Sequence, residues 1–378
     1  MDMMMGFSMG TQKPTQTIES VPWIEKYRPK KIKEMAQNDG IIDLFNNIMR
    51  TGNIPHMLFY GPPGTGKTSS ILAIGRETYG EHFSSRVIEF NASDDRGINA
   101  VREKITFEAK KSVGQIENPD GSIVPAYKII ILDEADSMTD EAQDALRVII
   151  EEYSGVTRFC FICNYISKIT DAIKSRCSKV YFKKLPDECM ITKLKEISVA
   201  ESMKLSNDIF GTIADISAGD MRKAIMLLQN IKYEYEFKKS NSKKLSEMTE
   251  IEMRSFYPVI GVDLESGKSS TDITPLDIYN ISATIAPSVA EKIVDEIIKC
   301  KSIIEISFLS KKIVNMGYPI DNIIMQINNI ILRSKKFSDL QKAKIFQKGS
   351  LVAYGMKECA NEYVQLLHFL SEVYMISN

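Results

Sequence analysis

The chain has 378 residues, which predicts two or three domains rather than a single core. With 44 % hydrophobic and 26 % charged residues it has the make-up of a folded globular protein, and no run of about 18 apolar residues predicts a membrane span. A formal net charge of −1 excludes a strongly basic, DNA-coating protein and leaves any nucleic-acid contact to a local patch or to several chains acting together.

In chain order, residues 1–20 lack a basic stretch followed by an apolar one and read as a disordered tail rather than a secretory signal. Structure is predicted from Val21, where VPWIEKYRPKKIKEM is basic, aromatic and bracketed by Pro22 and Pro29. IIDLFNNIMRTG has helical spacing and a stop at Gly52. MLFYGPPGTGKTSSILAIGRETYG reads as a short apolar strand, a glycine loop and a helix. RVIEFNAS is a strand, and Asp94 and Asp95 open a helix through VREKITFEAKK, their charge suiting its dipole. Gly114–Ala126 is predicted as a polar loop. KIIILDEAD is an apolar strand ending in carboxylates, EAQDALRVIIEEY a helix, RFCFICNY a buried strand and KVYFKKL a further short one. Strands apolar on both faces and alternating with helices define an α/β class, a parallel sheet between helical layers.

Cys160 and Cys163 form a C-x-x-C inside a strand, where alternation sends them to opposite faces. No second pair follows, so reduced intracellular thiols are expected rather than a zinc site. After Pro186 only helical periodicity remains. The predicted organisation is an α/β unit over 21–185, a small helical unit over 186–237, a polar linker or insertion over 238–271 and a helical bundle over 272–378.

Gly61-Pro62-Pro63-Gly64-Thr65-Gly66-Lys67-Thr68 matches the P-loop pattern, with Ser69 continuing into the helix. Glycines let backbone amides wrap phosphate oxygens, and the helix start adds a favourable dipole. Lys67 is expected at the terminal phosphates and Thr68 at Mg²⁺. The strand Ile129–Leu132 then delivers Asp133 and Glu134 to the sheet edge, where ligands of such folds bind. Asp133 suits Mg²⁺, and Glu134 suits the general base that activates water. A helix-capping acidic pair is the plainer account of these two, but the P-loop before them favours the ATP reading. Hydrolysis also needs polar and cationic groups around the γ-phosphate. Asn164, Arg176 and Arg222 are candidates, although a lone arginine is more often a solvated surface charge.

The order WIEKYRP (from Trp23), GPPGTGKT, NASDDRG, LDEADSMT, CNY, SRC and GDMRKA closely resembles the small subunits of replication factor C, the eukaryotic and archaeal clamp loader. The resemblance is dense from Val21 to Tyr235 and covers the rest in outline. It implies an AAA+ P-loop NTPase domain with a parallel sheet, a helical lid and an all-helical collar that holds a pentameric spiral together. It implies Ile24 and Arg28 beside the nucleotide base, Asn164 as sensor 1 and Arg222 as sensor 2. Arg176 becomes the finger that reaches the ATP of a neighbouring subunit, and Asn91 the residue coupling ligand binding to the general base. ATP and Mg²⁺ are the implied ligands. Other loader subunits, a PCNA-like sliding clamp and primer–template DNA are the implied partners, and a nuclear or other intracellular replication site the implied location.

The segment Ser93–Ile98 starts a helix that can hold DNA phosphates through its amides and through arginine. On its own this reads as a solvated charged face; with the resemblance, DNA contact is expected at Arg96 and Arg102, with Arg147 a second candidate. Family members often carry a second arginine after that position, and here Val148 stands there. The Lys238–Thr271 stretch is also longer than the usual lid-to-collar connection. Two alternatives are another AAA+ machine, such as a branch-migration motor, and a scaffold subunit that binds ATP without hydrolysing it. The first would need a pore element and a DNA-binding module after the lid; the second sits poorly with Lys67, Asp133, Glu134 and Arg176 all present.

Overall fold

The computed structural model describes residues 21–35, 39–92, 98–117, 123–240, 273–358 and 361–377. It opens with one helical turn, α1 (Trp23–Lys26), and a 3-10 turn at Ile32–Glu34. There follow α2 (Asp39–Thr51), β1 (Met57–Tyr60), α3 (Lys67–Tyr79), α4 (Phe83–Arg86), β2 (Val87–Asn91) and α5 (Ile98–Lys110). Next come β3 (Ile116–Glu117), β4 (Ile123–Val124), β5 (Lys128–Asp133), α6 (Asp140–Glu152), β6 (Thr157–Cys163), α7 (Asp171–Lys174) and β7 (Ser178–Tyr181). The described remainder is helical: α8 (Asp187–Ala200), α9 (Asn207–Ser217), α10 (Met221–Ser240), α11 (Pro275–Ile281), α12 (Pro287–Lys299), α13 (Ile303–Val314), α14 (Ile320–Arg333), α15 (Asp339–Lys357) and α16 (Glu362–Ser377). None of the described helices is long and apolar enough to cross a membrane.

Five strands form one parallel sheet in the order β2-β5-β6-β1-β7. Parallel strands need crossovers, and the helices that supply them cover both faces. Phe59, Ile129, Ile131 and Cys160 face the layer of α2 and α3, whereas Leu58, Ile130, Leu132, Phe161 and Cys163 face that of α5 and α6. The two cysteines therefore lie in different layers, as strand alternation requires. Because all five strands run the same way, the P-loop after β1, Asp133 at the end of β5 and Asn164 after β6 gather at one edge. In the register, Asn91 lies opposite Asp133.

Three elements differ from the sequence expectation. The Gly114–Ala126 loop contains a short antiparallel ribbon pairing Ile116 with Val124, drawn in because Val124 is fully buried in the core beside Tyr127. Pro275–Ile281, read with the C-terminal bundle, packs on the lid: Ile273 and Ile278 are buried with Ile209, Phe210 and Leu228. The bundle core proper starts at Ile285. At the other end of the chain, Trp23, Ile24 and Tyr27 pack on the same lid core rather than on the α/β layers. α10 continues to Ser240, and residues 241–272, most of the expected linker, lie outside the described residues.

His56, just before β1, accepts the Phe159 amide proton on Nδ1 at 3.1 Å. Burial pushes its imidazole from 6.5 down to about 4, and the nearby Arg158 works in the same direction. A folded-state value below the unfolded one means that stability is full above about pH 6.5 and is lost as pH falls from there toward about 4. Between about pH 7 and pH 5, urea unfolding should cost the native chain roughly 1–2 kcal/mol more stability than it costs His56→Asn, which keeps an acceptor but cannot titrate. Equal losses in the two proteins would contradict this placement.

Candidate nucleotide site

The loop between β1 and α3 turns through three glycines with positive φ: Gly61 at 143°, Gly64 at 69° and Gly66 at 90°. Two of them have no room for a side chain. A Cβ on Gly61 would stand 2.1 Å from the Phe182 carbonyl oxygen, and one on Gly64 would stand 1.7 Å from Asp220 Oδ1. The first contact presses the loop onto β7's exit, and the second brings it against the turn that opens α10. There the Met221 amide donates to the Gly64 carbonyl at 3.1 Å. The lid is therefore joined directly to the phosphate loop.

Lys67 is buried, and its Nζ donates to the carbonyls of Gly61 at 2.7 Å and Pro62 at 2.8 Å and to Asn164 Oδ1 at 2.9 Å. Burial lowers its pKa, while the carboxylate of Asp133 works the other way. Thr68 Oγ1 donates to Asp133 Oδ2 at 2.8 Å, which brings the two oxygen ligands expected for Mg²⁺ together. Glu134 follows in the left-handed region (φ 55°), a conformation costing a non-glycine residue about 1–2 kcal/mol. That turn points the chain off the strand, and the Glu134 amide donates to Asp133 Oδ1 at 2.9 Å. Asp136 Oδ2 accepts from the amides of Asn164 and Tyr165, each at 3.2 Å, so the last acidic residue of DEAD fixes the end of β6.

A single cavity collects most of the sequence candidates. Its walls include Ile24, Arg28, Pro63, Gly64, Thr65, Gly66, Lys67, Thr68, Ser69, Asp133, Glu134, Asn164 and Arg222. Gly61 and Pro62 contribute their carbonyls to Lys67 just behind it. The same cavity is walled by residues that the sequence reading did not single out: Tyr27, Pro29, Met35, Leu185, Lys193, Met221 and Ile225. Tyr27 and Pro29 stand inside WIEKYRP, and Met221 and Ile225 flank Arg222 at helical spacing, so a motif signal existed for these four. Lys193 and Leu185 carried none. Apolar walls together with the glycine loop and Lys67 suit a base and a phosphate chain.

Asn91, at the end of β2, and Arg176 are both exposed and are not part of the cavity wall; Arg176 is held elsewhere. Its Nε donates to Glu151 Oε1 at 2.7 Å and its Nη1 to the Ala172 carbonyl at 2.7 Å, and Nη2 also pairs with Glu151. Arg147 is exposed on α6. Arg102 lies in α5 with its side chain outside the described residues, as is the whole of Arg96.

A parallel sheet with a P-loop after β1, carboxylates at the end of β5 on the far side of β6, and a helical lid on the loop defines a P-loop ATPase of the AAA+ class. A family model described as "ATPase family associated with various cellular activities (AAA)" matches residues 57–185. Two others, "RCF1/5-like, AAA+ ATPase lid domain" and "Replication factor C C-terminal domain", match residues 192–233 and 285–372. A chain of Acanthamoeba polyphaga mimivirus named as a replication factor C small subunit is 61 % identical over 95 % of this chain and 98 % of its own. Replication factor C subunit 4 of Arabidopsis thaliana is 40 % identical over 93 % of this chain and 94 % of its own. Its human namesake is 36 % identical over 97 % and 91 %. The chain belongs to the replication factor C small-subunit family, and so is a clamp-loader component of DNA replication.

Gly64→Ala would strain the loop at a φ of 69° and place a methyl group where the Asp220 carboxylate stands, so that this side chain has to turn aside. Titration calorimetry should give this variant at least about tenfold weaker ATP binding with the secondary structure unchanged by circular dichroism. Wild-type affinity would show that the close approach has no part in the site.

Proposed function

We propose that the chain is an ATP-hydrolysing subunit of a clamp loader, opening a sliding clamp when ATP binds and releasing it on primer–template DNA after hydrolysis. The observation that carries this reading is the division of the catalytic groups. Lys67, Thr68, Asp133, Glu134, Asn164 and Arg222 converge on the chain's own cavity, while Arg176 stands outside it on an exposed surface. An arginine placed there suits the ATP of a neighbouring subunit.

In this reading Lys67 and the loop amides hold the terminal phosphates, and Asn164, already within 2.9 Å of Lys67 Nζ, orients the water that Glu134 deprotonates. Thr68 and Asp133, 2.8 Å apart, would hold Mg²⁺, which when bound would neutralise charge at the phosphates. Arg222 enters from the lid, so nucleotide binding and lid position are one event. Asn91 is assigned the coupling role, supported by its register opposite Asp133. Arg147 on α6, with Arg96 and Arg102, is assigned to DNA phosphates, contacts that carry no sequence information and suit action at any primer end. Assembly is assigned to the bundle from Ile285 onward, and the nucleus or another replication site is the expected location.

The test is the ATPase rate of the chain assembled with its partner subunits, with and without clamp and primer–template DNA. Strong stimulation is expected only when both are present; stimulation by duplex or branched DNA alone, with no clamp effect, would favour a motor instead. Arg176→Ala should leave ATP binding by the isolated chain within about twofold and cut turnover of the assembly by about 10³-fold or more, the worth of an arginine finger. Loss of ATP binding by the isolated variant would rule out a role in trans.

A further inference from the structure

The segment from Trp23 to Met35 is a strap with an anchor at each end. Its far end belongs to the α/β domain: Ile32 and Met35 are buried in that core, and the Ile32 amide donates to Glu77 Oε1 on α3 at 2.8 Å. Its near end belongs to the lid, where Trp23 is buried among Met190, Leu194 and Leu228 and its amide donates to Gln229 Oε1 at 3.2 Å. Between the anchors, Ile24, Tyr27, Arg28 and Pro29 wall the cavity.

One lid side chain grips the near end. Glu201, at the C-terminus of α8, accepts from Tyr27 Oη at 2.5 Å and Lys26 Nζ at 2.5 Å, both on the strap, and from Lys232 Nζ of α10 at 2.6 Å. Its side chain is only 8 % exposed, so three donors converge on a carboxylate that water hardly reaches. Such charge-assisted bonds are stronger than neutral ones. Burial opposes its ionisation, but the bonds from Lys232, Lys26 and Tyr27 outweigh that and bring it down to about 2.

We propose that Glu201 is a positioning residue for nucleotide binding, holding the strap's Tyr27 and Lys26 to the lid so that the strap closes over the nucleotide. It touches neither phosphate nor base and acts through the strap alone. Its loss therefore weakens nucleotide affinity and leaves the hydrolysis step as it was. The inference rests on the reading of the cavity as an ATP site.

Trp23 is the chain's single tryptophan, so its emission reports strap docking directly. Two variants divide the contact. Glu201→Gln removes the charge, and Lys26→Met removes a strap donor that is not part of the cavity wall while leaving the Glu201–Lys232 pair intact. Each should bind a fluorescent ATP analogue about tenfold more weakly as the full chain, the size of effect expected for losing charge-assisted bonds. Each should also red-shift Trp23 emission, with saturating ATP reversing the shift. In the assembled complex KM should rise while kcat stays within about twofold. Combining the two should weaken binding no further than about twofold beyond either alone, because they break one contact. Should Glu201→Gln unfold the lid, the strap-side variant carries the test alone. Wild-type affinity and emission in the strap-side variant, or losses that multiply, would overturn the proposal. Lys67→Ala is the control, expected to lose the analogue with Trp23 emission unchanged. If Lys67→Ala binds like the wild type, the ATP-site reading fails, and the role of Glu201 with it.

Discussion

The contact on which the site depends is the one between Gly64 of the phosphate loop and the Asp220–Met221 turn of the lid. A glycine with positive φ, a backbone hydrogen bond of 3.1 Å and a carboxylate where a Cβ would otherwise be bring the two domains into direct contact. Packed interiors do not deform continuously, so a shift of the loop has to be answered by the lid. Arg222, two residues after Asp220, is carried to the cavity by the same turn.

Around this contact the other parts take consistent places. The parallel sheet brings three strand ends to one edge and so assembles Lys67, Asp133 and Asn164 from residues far apart in the chain. The strap bridges the same two domains, tied to α3 through Glu77 and to α8 through Glu201. A nucleotide in the cavity would thus be surrounded by α/β domain, strap and lid.

The sheet was legible because its strands are apolar runs bounded by turns, and the loop because glycine, lysine and threonine spacing carries its own physics. Asn164 and Arg222 were found by their order after the P-loop, and both stand at the cavity. Other features left no local trace. Glu201 is one glutamate among many on a helical surface, and only the packing of α1 on the lid reveals what it binds. Asp136 reads as one of two aspartates in DEAD until its bonds to the Asn164 and Tyr165 amides are seen. The ribbon of β3 and β4 is too short for any period to register. Thr274 caps the start of α11 and Pro275 opens it, but a helix boundary does not say which core its apolar face enters.

Hydrogen–deuterium exchange on the full chain, with and without ATP and Mg²⁺, bears most directly on the claim that one nucleotide is enclosed by three parts of the chain. The P-loop, the first turns of α10 and the strap from Trp23 to Met35 should slow together when nucleotide is added, and Lys67→Ala should abolish all three effects at once. Protection confined to the P-loop, with the strap and α10 exchanging as before, would contradict the enclosure and leave the lid without a part in sensing ATP.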